Sequence, residues 1–192
     1  RKLLIRATFQ QAKEDGVTVL EIGEDVWGLK EFFHNDIDEL VESFTSAQRE
    51  IAPEIELRLQ IGLSRHCPIS YLEDCLSYFW GNKNFYSIDL YGDEFAQPIE
   101  NFKGIYRRAK KEGLRLKAHV GEWGTAKDIR TAVEELELDE VQHGIAAAGD
   151  ESVIRFLAEN KIRLNITPTS NVLLGRVADM AEHPIGKLYR SG

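Results

Sequence analysis

LRLKAHVGEWGTAKDIRTAVEELELDEVQHGI, residues 114–145, holds the pattern on which the fold is decided. It opens on a strand-like run, Leu114–His119, followed by a turn at Gly121-Glu122-Trp123-Gly124. Thr125 with Asp128 three residues on is a capping-box signature. Ile129, Ala132, Val133 and Leu136 then recur at helical spacing. A second strand-like run, Glu140–Ile145, closes the stretch. The two strands start 26 residues apart. That is too far for a hairpin and enough for a right-handed crossover through a helix, so the strands pair in parallel.

The same alternation extends in both directions. Six candidate strands occur, at Val17–Ile22, Leu57–Leu63, Phe85–Leu90, Leu114–His119, Glu140–Ile145 and Ile162–Ile166, with starts 40, 28, 29, 26 and 22 residues apart. Between them lie helical stripes: Ile37, Leu40, Val41, Phe44 and Ile51; Leu72, Cys75, Leu76 and Phe79; Phe102, Ile105, Tyr106 and Ala109 ahead of Gly113, which suits a left-handed cap. Val153, Ile154 and Leu157 follow Asp150 in the same way. Such alternation leaves an open doubly wound sheet or a (β/α)8 barrel. Neither GxGxxG nor GxxxxGK[ST] is present, which favours the barrel. With no linker, low-complexity tract or charge block, residues 1–192 read as a single domain, short of the roughly 250 residues of a whole barrel.

Composition narrows the function. The 24 Lys and Arg against 32 Asp and Glu give a formal charge of −8, which argues against a nucleic-acid or anionic-membrane partner. At 43% hydrophobic and 29% charged residues, the chain suits a packed globular domain. No apolar run approaches the ~20 residues that span a bilayer, and no secretory h-region opens the chain, so it reads as cytoplasmic. Cys67 and Cys75 form neither a CxxC pair nor a disulfide framework and read as small hydrophobes. The first residue is Arg1, within a helical pattern, and the expectation is a piece of a longer chain.

Polar residues gather where the strands end: Glu21; Ser64 and Arg65; Asp89, Asp93 and Glu94; His119 and Glu122; His143; then Thr167, Thr169, Ser170 and Asn171. In a barrel these ends share the rim that carries (β/α)8 active sites. His119 is a candidate metal ligand and Glu122 a candidate general acid or base; a capped strand end would look the same. His143, at the next strand end, belongs beside them. Asp89 sits inside a strand, where an unpaired carboxylate would be costly, and is read as an orienting group. Gly92 brings a backbone amide to a ligand or only makes a turn. The run 167–171 is a ligand-facing loop or simply a helix N-terminus. His34 reads as surface near the start of a helix, His66 as a loop residue, and His183 precedes Pro184. Trp27, Trp80 and Trp123 read as packing residues, since no basic groove surrounds them.

Taken in order, Ile88-Asp89-Leu90-Tyr91-Gly92-Asp93-Glu94, Ala118-His119-Val120-Gly121-Glu122-Trp123-Gly124, Gln142-His143-Gly144, Thr167-Pro168-Thr169-Ser170-Asn171 and His183-Pro184 resemble the adenosine deaminase family. The resemblance covers about half the chain. It implies a zinc-dependent (β/α)8 hydrolase that converts a 6-aminopurine, such as adenosine, to its oxo form with release of ammonia. By that resemblance His119 is a zinc ligand, Glu122 the proton donor to ring nitrogen N1, His143 the residue that orients or deprotonates the attacking water, and Gly92 the backbone group that meets N3. The partner is a small purine nucleoside or base. The H-x-E and P-C-x-x-C pattern of cytidine-type deaminases is absent.

The family's His-x-His pair on its first strand and Asp-Asp pair after its last are not found in the sequence. The six strands then correspond to the second through seventh of eight, an incomplete barrel with about six parallel strands. With one matching ligand for zinc, the expectation is a chain that is inactive and self-associating through open sheet edges, or completed by further segments. The rival reading is a non-catalytic fragment or pseudoenzyme that keeps a purine-binding or partner-binding rim. A barrel metallohydrolase acting on another C–N bond is a third.

Overall fold

In the computed structural model, which describes residues 1–192, helices and strands alternate in the order α1 (Lys2–Glu14), β1 (Val19–Asp25), α2 (Gly28–Phe33), α3 (Ile37–Ile51), β2 (Glu56–Ser64), α4 (Ile69–Leu76), β3 (Phe85–Tyr91), α5 (Lys103–Glu112), β4 (Arg115–Val120), α6 (Ala126–Leu136), β5 (Glu140–His143), α7 (Glu151–Glu159), β6 (Arg163–Asn165), α8 (Pro168–Leu173) and α9 (Ile185–Arg190). Short 3-10 turns occupy Ile99–Phe102 and Ile145–Gly149. The six strands follow one another in chain order, as in a (β/α)8 barrel that is incomplete. No helix is long and apolar enough to cross a membrane. The chain divides into two compact units, Arg1–Leu63 with Cys67–Ile88, and Ser64–His66 with Asp89–Gly192.

In the first unit β1 and β2 pair in parallel, from Val19 opposite Glu56 to Asp25 opposite Gly62. Gly23 is needed for this pairing, because a Cβ there would lie 1.6 Å from the Gln60 carbonyl oxygen. Helix α1 buries Ile5, Phe9 and Ala12 and packs on α3, which buries Leu40, Phe44 and Ala47. Asp36 caps α3 by accepting from the Glu39 N–H. Ile37, Val41 and Ile51 from the predicted stripe are only half-buried, because Ser43 and Ala47 rotate the buried face by one position.

In the second unit β4, β5 and β6 form a parallel run, with Lys117 opposite Glu140 and Glu140 opposite Arg163. Lys117 and Glu140 are both buried and pair at 3.2 Å, and Asn165 donates a further bond to Glu140 at 2.9 Å. The buried Tyr106 of α5 donates its hydroxyl to the Lys117 carbonyl, fixing the helix on the sheet. Gly113 ends α5 at φ 84, the left-handed cap its sequence position predicts. Thr125 and Asp128 form the predicted capping box at the start of α6, and the Asp150 side chain accepts the N–H groups of Ser152 and Val153 at the start of α7.

All six strands occur where the sequence reading put them, with shifted bounds: β1 runs Val19–Asp25 rather than Val17–Ile22, and β2, β3 and β4 shift by one residue at one or both ends. β5 stops at His143 rather than Ile145, since His143 (φ 66) and Gly144 (φ 64) both take the left-handed conformation and turn the chain into a 3-10 helix. β6 spans only Arg163–Asn165. His34 does not begin a helix; it ends α2 at φ 52 and is exposed, with α3 following three residues later.

Candidate active site

Asp89, Gly92, His119, Glu122 and His143 all fall in the second unit, while Glu21, also read at a strand end, lies in the first. The last residues of β3 supply Asp89, which is 2% exposed. Its Oδ1 lies 3.3 Å from His119 Nδ1 on β4, and Gln142 Nε2 donates to its Oδ2 at 3.4 Å. A carboxylate only accepts, so His119 carries its proton on Nδ1 and presents a bare Nε2. Burial presses the His119 pKa down, but the bond and charge of Asp89 outweigh burial and leave it above the ordinary histidine value. Tyr91 meets the His119 ring edge-on at 6.2 Å between centroids.

After β4 the chain bends at Gly121 (φ 73) and carries Glu122 back over the strand end. This loop is held by Glu94. Oε1 of Glu94 accepts the N–H groups of Glu122 (2.9 Å) and Trp123 (2.8 Å), while Oε2 accepts those of Gly121 (2.7 Å) and Gly124 (3.2 Å). A buried carboxylate is stable only when its lone pairs are filled in this way. Gly124 makes room for it: a Cβ there would come within 2.7 Å of Oε2. The sequence placed Glu94 at a strand end and gave it no task. The available signal was the pair of glycines flanking Glu122-Trp123, which marks a loop whose backbone must approach another group closely.

Glu122, His143 and His119 converge. Glu122 Oε1 is 3.3 Å from His143 Nδ1, and the two histidine rings are 5.3 Å apart. Thr167 Oγ1 lies 3.1 Å from the same Nδ1. Every hydrogen-bonding contact of the His143 ring falls on Nδ1, which leaves Nε2 for a reactant. Burial lowers the His143 pKa below the ordinary value. Gly92 (φ 102) and His66 approach each other, so that a Cβ at position 92 would meet the His66 ring at 3.1 Å. Gly92, His119 and Glu122 line one cavity of about 560 Å³ together with Tyr91, Asp93 and Trp123. That volume is in the range that holds a drug-sized or nucleoside-sized ligand.

Three residues behave otherwise than the sequence suggested. Trp123 is not a packing residue: it is 47% exposed, its Nε1 donates to Glu122 Oε2 at 3.1 Å, and the Arg176 guanidinium lies 4.4 Å over its ring. The Glu94 bonds to the loop backbone turn its side chain outward. Asn171, from the loop read equally as a helix N-terminus, is fully buried and donates to Glu122 Oε1 at 3.1 Å. His183, given no task, is buried against Asn171 at 3.2 Å.

A metal needs several donors at one point. His119 fits one ligand position, with a carboxylate behind it as metal-bound histidines usually have. No group of three or more His, Cys, Asp or Glu side chains within residues 1–192 is arranged to hold an ion. These residues fit one corner of a metal centre and do not by themselves complete it.

Residues 2–192 match the family model described as adenosine deaminase. A putative adenosine/adenine deaminase of Treponema pallidum is 38% identical over 189 residues, covering 98% of this chain and 63% of that protein. Among solved structures, adenine deaminase from Arthrobacter aurescens superposes with a TM-score of 0.83 at 26% identity, covering 100% of this chain and 59% of the other. An amidohydrolase from Burkholderia ambifaria with bound Zn also gives 0.83, at 21% identity and covering 55% of that chain, a likeness of fold alone. The chain thus spans about three-fifths of the length of the proteins it matches.

Proposed function

Because the chain belongs to the adenosine deaminase family, we propose that the site on its second unit removes the exocyclic amino group of a 6-aminopurine by hydrolysis. Adenosine and water would give inosine and ammonia; adenine is the alternative substrate. The observation that carries this reading is the convergence of a carboxyl and two imidazoles, with Glu122 and His119 lining one cavity and His143 beside them, its Nδ1 3.3 Å from Glu122 Oε1 and its ring 5.3 Å from that of His119.

The roles are those the family resemblance implies, and the bonding supports them. Glu122 holds a proton for ring nitrogen N1, and its transfer makes C6 a better electrophile as water adds. His143 is anchored through Nδ1 and uses Nε2 to orient the attacking water and accept its proton. The proton then goes to the leaving nitrogen, the C6–N bond breaks as the C6 hydroxyl returns its proton to Glu122 and becomes the oxo group, and ammonia departs. Gly92 offers its backbone to N3, in a conformation that favours glycine. Asp89 fixes the His119 ring. Zinc, present in the Burkholderia ambifaria structure, would take His119 Nε2 with further ligands from outside residues 1–192, and would supply water activated at neutral pH.

The test is loss of aminopurine ultraviolet absorbance and release of ammonia, measured on the protein with zinc supplied. Glu122→Gln is expected to lower kcat by about 100-fold or more and to leave purine binding intact. If protein that includes the remaining ligands and holds zinc stoichiometrically leaves adenosine, adenine and adenylate unchanged, the substrate assignment is wrong.

A further inference from the structure

The buried side of the site contains a chain of hydrogen bonds with a fixed direction. The Ile185 backbone N–H donates to His183 Nδ1 at 3.1 Å. An imidazole nitrogen that accepts has no proton, so the His183 proton is on Nε2. Nε2 faces Asn171 Oδ1 at 3.2 Å, which makes that oxygen the acceptor and settles which end of the amide is which. The Asn171 Nδ2 group must then point the other way. It donates to Glu122 Oε1 at 3.1 Å and lies 3.4 Å from His143 Nδ1. The Asn171 main chain is pinned as well, its carbonyl accepting from Arg176 at 2.8 Å and Val177 at 3.3 Å.

We propose that His183 and Asn171 are positioning residues for Glu122: His183 orients the amide, the amide reserves Oε1 as an acceptor, and Oε2 is left as the oxygen that carries the transferable proton. This rests on the reading of Glu122 as the group that protonates the purine. The two oxygens differ in how firmly they are held. Asn171 is fully buried and bonded at both ends of its amide, so its donation to Oε1 persists through the reaction. The donor on Oε2 is the Nε1–H of Trp123, on a ring that is 47% exposed. A protonated Oε2 keeps lone pairs that can still accept from the indole, but its O–H must point away from that N–H, and the indole must shift wherever the two compete. An exposed ring can do so; a buried amide cannot. Neither His183 nor Asn171 is among the residues lining the substrate cavity, so their removal should change the rate and spare binding.

Three variants and one spectrum test this. His183→Leu removes the donor to Asn171, His183→Gln keeps a donor N–H, and Asn171→Leu removes the donor to Glu122. The expected result for His183→Leu and Asn171→Leu is a kcat lower by about 10- to 100-fold, the scale of one buried hydrogen bond. KM should stay within about twofold, and His183→Gln should recover most of the rate. In ¹⁵N NMR of the wild-type protein, His183 should be the Nε2-protonated tautomer, and the Asn171 side-chain amide signal should move in Glu122→Gln. The proposal is overturned by an Nδ1-protonated His183, by an Asn171 signal indifferent to Glu122→Gln, by His183→Gln as slow as His183→Leu, or by a rise in KM with kcat unchanged. If His183→Leu does not fold, His183→Gln and the wild-type tautomer decide. If the wild type deaminates no purine, the substrate reading fails while the two NMR outcomes still test the bond chain.

Discussion

Replacing Glu94 by glutamine changes one oxygen to an amide nitrogen and barely alters volume, yet the geometry makes it a severe substitution. The four N–H groups of residues 121–124 divide two and two between Oε1 and Oε2, at 2.7 to 3.2 Å. Whichever oxygen becomes the NH2 group, two backbone donors then face a donor. A buried donor left unsatisfied costs about 1–3 kcal/mol. Two of them, with the loss of charge from the surviving bonds, give about 3 kcal/mol or more. Urea unfolding should show a midpoint shifted by that amount with an unchanged slope. The penalty is local, so amide hydrogen exchange is the sharper assay. At 1.36 kcal/mol per decade, 3 kcal/mol is about two decades. The amides of Gly121, Glu122, Trp123 and Gly124 should therefore exchange about 100-fold faster in the variant. Helix α7, bonded elsewhere, should change no more than global stability does. If those four amides keep their wild-type protection, Glu94 does not hold the loop and the account of how Glu122 is placed is wrong.

Three further outcomes check other parts of the structure. Gly23→Ala puts a methyl carbon 1.6 Å from the Gln60 carbonyl oxygen, backbone against backbone. It should cost several kcal/mol, read as a large fall in thermal midpoint, and a normal midpoint would refute the β1–β2 register. Lys117→Met leaves Glu140 buried without its one buried cation, with Asn165, Arg115 and the more exposed Arg163 as its remaining partners. Chemical denaturation should show a loss of about 3 kcal/mol, and a second change, Glu140→Leu, should restore most of it. Asp25 has its pKa raised from 3.8 to about 6, by burial first and by the Glu24 charge second. A raised carboxyl pKa means the folded state favours the proton, so this group's penalty is absent below about pH 4, grows between 4 and 6, and is complete above 6. The full displacement is worth about 3 kcal/mol, and partial exposure of the carboxyl roughly halves it. Asp25→Asn should thus be more stable than wild type by about 1–2 kcal/mol at pH 8 and equal to it near pH 4; a gain independent of pH would contradict this.

What the sequence discloses is whatever is encoded by spacing along the chain. The capping box of Thr125 and Asp128, the glycine that ends α5, and the buried face of α6 lie within one or two helical turns, and the alternation of strands and helices follows from apolar periodicity alone. The convergence of His119, Glu122 and His143 was legible once the strands were taken as parallel, because His119 and His143 lie at strand ends and Glu122 in the turn just after one. Interactions set by distant residues are different. Glu94 is 27 to 30 positions away from the amides it binds, and in sequence it looks like any solvated loop carboxylate. Asn171 is 49 positions from Glu122. Trp123 has the composition of a core residue, and only the pinning of its own backbone turns it outward. β5 ends early because His143 takes a left-handed φ that its neighbours' β-forming character does not reveal.

These same features bear on why the site looks as it does. A non-glycine residue at φ 66 costs on the order of 1 kcal/mol. Burying Asp89, Glu94, Asn171 and His183 is worthwhile for stability only if apolar residues could not do better, and at such positions they usually can. Each of these groups instead ends on a residue of the proposed site, on its loop or on its support: Asp89 on His119, Glu94 on the backbone of Glu122, His183 on Asn171, and Asn171 on Glu122 and His143. Packing alone gives no reason for these four buried polar side chains to end on Glu122, its loop, His119 or His143, directly or through Asn171, whereas the buried Lys117–Glu140 pair of the same unit satisfies itself. The support also comes from within that unit, since all of these residues lie in Ser64–His66 and Asp89–Gly192. The proposed acid and base, Glu122 and His143, are thus oriented by hydrogen bonds from residues of their own unit.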